Sequence, residues 1–74
     1  MSEARLKRLN ALLKWIEDNP GTPLQKLIDK FALEMGLRKK TIVEYVKLFE
    51  DAERIHISDN KIYYRENSQF IKEL

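Results

Sequence analysis

The sequence has no cysteine. That excludes a disulfide framework and any thiolate metal site. It has one histidine, His56, which cannot anchor a histidine-based zinc centre unaided. Glycine and proline occur twice each, so neither a glycine-rich phosphate loop nor a proline-rich linker can be built. No nucleophile–histidine pair and no paired metal ligands stand out, and the expectation is a protein that is not an enzyme and carries no cofactor. No apolar run approaches the roughly 18 residues of a membrane span. The opening "MSEARLKRLN" is charged and lacks the apolar stretch of a secretory signal. The expected setting is the cytoplasm, with no membrane partner.

What is present is one small domain of 74 residues with 43% hydrophobic residues, enough for a modest core. The net charge of +2 comes from 14 basic and 12 acidic residues, so placement carries more than the sum. Arg5, Lys7 and Arg8 cluster near the start, and Arg38, Lys39 and Lys40 run in a row. The acids Glu50, Asp51 and Glu53 gather further on.

Hydrophobic periodicity predicts three helices. The first runs from about residue 4 to 18, with Leu6, Leu9, Leu12, Leu13 and Ile16 on one face. "DNPGTP" ends it. Thr22 suits the N-cap and Pro23 the first position of a second helix, which carries Leu24, Leu27, Ile28, Phe31 and Met35. Gly36 follows, where a left-handed ending favours glycine. The third helix is expected over residues 39–53, burying Ile42, Tyr45, Val46, Phe49 and Ala52. The period then changes to 2. Ile55 and Ile57, then Ile62 and Tyr64, alternate with polar residues around "SDNK", which predicts a β-hairpin. In residues 67–74, Asn67 or Ser68 can cap a short last helix carrying Phe70, Ile71 and Leu74, or the segment frays. The domain is placed at residues 1–66 and the tail at 67–74.

The stretch "KFALEMGLRKKTIVEYVKLFEDAERIHISDNKIYYRE" resembles the second half of a winged helix-turn-helix domain. Phe31, Ala32, Met35, Gly36, Leu37, Ile42 and Tyr45 carry the resemblance, with the hairpin as the wing. Two departures stand out. Arg38 occupies a position where the family often has a Ser or Thr cap, and no strand is evident between the first two helices, where "PGT" stands. The second departure counts against a three-stranded sheet.

The resemblance implies a mainly α fold of three helices and a hairpin that binds double-stranded DNA, with helix three in a major groove and the wing near the backbone. A small transcription regulator is the first expectation. On a helical wheel Lys40, Val43, Glu44, Lys47 and Asp51 lie opposite the buried stripe. Lys40 and Lys47 match phosphates or guanine edges, Val43 a thymine methyl, and Glu44 a cytosine amino group. Arg38, Lys39 and Thr41 suit backbone phosphates. Arg54 and Lys61 are the wing's candidates. The plainer readings are a solvated charged face and an intrahelical ion pair for Glu44, an exposed strand position for His56, and, for Arg5, Lys7 and Arg8, a solvated start in preference to contact with flanking DNA.

A homodimer through Leu33, Trp15, Phe70, Ile71 and Leu74 is a further expectation. The competing function is a protein-interaction module of a nucleic-acid-processing complex, or a binder of RNA or of a repeat element. The same fold serves both.

Overall fold

The computed structural model describes residues 2–65. The chain forms α1 (Glu3–Asp18), β1 (Thr22–Pro23), α2 (Leu24–Met35), α3 (Lys39–Asp51), β2 (Ile55–Ser58) and β3 (Lys61–Tyr64). This is the expected winged helix-like arrangement of three helices and a hairpin. The short helix proposed for the tail lies outside the described residues.

Ser2 caps α1, its side-chain oxygen accepting from the Arg5 amide at 3.1 Å, and Glu3 complements the positive helix start. Leu9, Leu12 and Ile16 are buried, and Leu13 packs beside them. Leu6 departs from the expectation and is 48% exposed. Its face is right, but it lies one turn before Leu9, where the buried stripe of α1 begins.

The segment after α1 corrects two expectations. Thr22 does not cap α2. Its hydroxyl donates to the Asn19 carbonyl at 2.8 Å, and α2 starts at Leu24 with no side-chain cap. Thr22 and Pro23 are instead extended and pair antiparallel with Ile62 and Lys61. The sheet therefore has three strands in the order β1-β3-β2. The Gly21 amide donates to the Ile62 carbonyl at 2.9 Å and the Leu24 amide to the Asn60 carbonyl at 2.8 Å, so both ends of the two-residue strand are tied down. Proline costs no ladder bond on such an edge.

Leu27, Ile28 and Phe31 bury one face of α2 against α3, with Leu24, Ala32 and Met35 packed at its margin. Gly36 ends the helix in the left-handed region at φ +67°, and the Leu37 amide reaches back to the Ala32 carbonyl at 3.0 Å. Gly36 and Leu37, with Arg38 as the next N-cap, make the whole connection to α3. There Ile42, Tyr45, Val46 and Phe49 are buried. Ala52, expected in that stripe, is exposed because α3 stops at Asp51. The stop is a Schellman ending. The Arg54 amide donates to the Phe49 carbonyl at 2.9 Å and the Glu53 amide to the Glu50 carbonyl at 3.0 Å, with Glu53 at φ +59°.

The hairpin pairs Ile55 with Tyr64, His56 with Tyr63, Ile57 with Ile62 and Ser58 with Lys61. Asp59 and Asn60 form its two-residue tip, both at positive φ, the type I′ signature. Ile55 and Ile62 close the core, with Ile57 and Tyr64 at its edge.

Candidate nucleic-acid interface

α3 presents the residues that the sequence singled out. Residues 40, 43, 44 and 47 repeat at helical spacing, so they share one face, opposite Ile42, Val46 and Phe49. Lys40, Glu44 and Lys47 are exposed, and Val43 is 44% exposed. Thr41 is half-buried, one helical turn before Tyr45. Neither Lys40 nor Lys47 closes an ion pair with Glu44, so the intrahelical pair considered for Glu44 does not form.

The start of α3 is electrostatically unusual. No side chain caps it, and its first turn has no acid. Arg38, Lys39 and Lys40 add positive charge where the helix already has a partial positive charge. Lys39 has a partner within the chain. Its Nζ lies 3.1 Å from Asp29 Oδ1, across the turn on α2. This contact, with the Gln25 amide donating to the same carboxylate at 3.0 Å, holds the Asp29 carboxyl below its ordinary range. Both members of the pair are well exposed, so salt screens it. Arg38, Lys40 and Lys47 have no such partner among the described residues.

The two wing candidates stand apart from this face. Arg54 follows the C-terminal end of α3, roughly 20 Å along the helix from its start. Arg54 is half-buried, and its Nε is enclosed without a hydrogen-bond partner. Lys61 is exposed at the hairpin tip, next to Pro23 and the first residues of α2. The shallow cleft there, about 290 Å³ between Pro23, Leu24, Gln25, Ile28 and Asn60, has no charged lining.

Two further cations join α3 from α1. The Arg5 guanidinium lies 5.7 Å from the centroid of the Tyr45 ring, and Arg8 Nε donates to Tyr45 Oη at 3.3 Å. The sequence reading left both in a solvated terminus. A signal was present: Arg5 and Arg8 sit three apart on one helical face, and a buried tyrosine needs a partner for its hydroxyl.

Of the residues considered for self-association, Leu33 is 84% exposed. Trp15 is half-buried within its own chain. It meets Phe31 edge to face at 5.4 Å, with Lys30 Nζ 5.4 Å from its ring centroid. Phe70, Ile71 and Leu74 lie outside the described residues. Among the described residues no three acidic or histidine side chains gather as a metal site, and no helix is long and apolar enough to cross a membrane. Comparison of the chain with protein-family models, curated proteins and solved structures returns no match.

Proposed function

We propose that this chain binds double-stranded DNA through the outer face of α3 and acts as a small transcription regulator in the cytoplasm. The observation that supports this is the uncapped start of α3, with Arg38, Lys40 and Lys47 lacking anionic partners among the described residues. A DNA phosphate supplies the negative charge that the helix start lacks and accepts its free N–H groups. Lys40, Val43, Glu44 and Lys47 then face the base edges, and Arg38 and Thr41 face the backbone. Lys39 contributes after exchanging Asp29 for a phosphate, an exchange between solvated partners. Arg5 and Arg8 extend the cationic flank on the α1 side, and Lys61 serves a separate wing contact.

The test is titration of duplex DNA into the protein at several salt concentrations. Lys40→Ala and Lys47→Ala should each weaken binding, and each lost phosphate contact lowers the salt slope by about one. Unaltered affinity in both variants, with the fold intact, removes α3 from the site.

A second reading, a protein-interaction module, is favoured by a different observation. Leu33 is 84% exposed, and Val43 and Leu48 are 44% and 41% exposed on α3. Such a surface also suits a homodimer through Leu33. If duplex DNA at low salt leaves the α3 amide resonances unmoved, this second reading replaces the first.

A further inference from the structure

The outward face of the hairpin carries a pattern that the α3 site does not use. Side chains alternate across a strand, so Ile62 and Tyr64 turn to the core while Lys61, Tyr63 and Arg65 turn outward. Opposite Tyr63 on β2 stands His56. The two rings are stacked, with centroids 5.2 Å apart and an interplanar angle of 17°. Gly21 lies close to Tyr63: a Cβ there would be 3.6 Å from the tyrosine ring. Tyr63 is thus held between Gly21 and His56, and its ring offers the imidazole a face to stack on.

His56 is exposed, and β2 is an outer strand of the sheet. The imidazole therefore has one face on Tyr63 and the other towards solvent. Lys61 lies two residues before Tyr63 on β3, and Arg65, just past the end of the strand, two residues after it, roughly 13 Å apart along the backbone. Lys61 has no ion-pair partner among the described residues. Arg65 has a loose exposed contact of 3.8 Å with Glu53, which a phosphate can displace. Asp59 at the tip is the nearby acid on the turn itself.

Cross-strand pairing alone explains why two rings meet. It does not explain a cation at each end of an open aromatic face. An aromatic surface flanked by cations is the chemistry that binds a nucleic-acid strand with an unpaired base: the base stacks and the phosphates meet the cations. We propose that the outer face of the hairpin is a single-stranded nucleic-acid site, with a base stacked on His56, Tyr63 positioning the imidazole, and Lys61 and Arg65 holding flanking phosphates. This site shares Lys61 with the proposed wing contact and is separate from the duplex contact proposed for α3.

The test measures fluorescence anisotropy of labelled dT12 and rU12, with an abasic deoxyribose-phosphate 12-mer that keeps the phosphates and removes the bases. Binding of either base-bearing oligomer should exceed that of the abasic chain by on the order of tenfold. His56→Ala should lose a similar factor, and Lys61→Ala should weaken binding more at low salt than at high salt, lowering the salt slope. Both positions are exposed, and circular dichroism checks that the fold persists. The His56 ring protons should shift in NMR spectra on adding the bound oligomer. Lys40→Ala should leave single-strand binding unchanged, which separates this site from α3. Equal affinity for the abasic chain overturns the proposal, as does a folded His56→Ala protein that binds undiminished. Loss of binding in Lys40→Ala with His56→Ala silent also overturns it, by assigning the strand to α3.

Discussion

Single residues set the backbone path around the proposed site. Gly36 stands at φ +67° with open space where a Cβ would go, so its requirement is conformational and not steric. An L-residue in that region costs about 1–2 kcal/mol. Gly36→Ala should lower stability to unfolding by about 1 kcal/mol in a urea titration, with little change in the slope of the transition. A loss near zero would mean that the turn adopts another path. Tyr45 shows a different kind of requirement. Its ring belongs to the core, while its hydroxyl receives Arg8 and its face receives Arg5. One residue therefore links the interior to a cationic flank.

At the scale of elements, the ends of the helices matter more than their middles. α2 and α3 both end with a left-handed residue, but one uses Gly36 and the other Glu53. The hydrogen bonds of the α3 ending already form with glutamate in place. Glu53→Gly removes the left-handed strain and loses the contacts of the Glu53 side chain, an exposed 3.8 Å approach to Arg65 among them. It should raise stability by about 0.5–1 kcal/mol, since the strain exceeds what exposed side-chain contacts contribute. Thermal unfolding followed by circular dichroism reads this directly, and a lowered midpoint would show that the Glu53 side chain outweighs the strain. The start of α3 is handled unlike either ending. Asp29 on α2 answers Lys39, and Arg38 and Lys40 remain uncompensated by the described chain.

At the scale of the whole molecule, a net charge of +2 gives weak long-range attraction for a polyanion. Association through α3 must then rest on local cations, and salt should report how many take part. Arg5 lies on the α3 flank through Tyr45, although it is distant in sequence from Lys40. Arg5→Ala should lower the slope of log affinity against log salt for duplex DNA by about one. An unchanged slope would confine the duplex contact to α3 itself.

Local physics made much of this fold legible. The 3.6-residue and 2-residue periods located the helices and hairpin, and Gly36 marked the turn between α2 and α3. The face of Lys40, Val43, Glu44 and Lys47 follows from spacing alone. Long-range contacts decided the rest. Thr22 and Pro23 read locally as a helix start, and only pairing with Ile62 and Lys61 makes them a strand. Leu6 and Ala52 carry the right period but are exposed, Leu6 ahead of the buried stripe of α1 and Ala52 past the end of α3. Asp29 meets Lys39 and Arg8 meets Tyr45 because folding brings together elements that no periodicity relates, whereas His56 meets Tyr63 through the register of the hairpin. Sequence by itself determined the elements and their apolar faces, because those depend on neighbours a few residues away. Tertiary structure decided the third strand and the fate of each cation, because these depend on partners that only chain closure supplies.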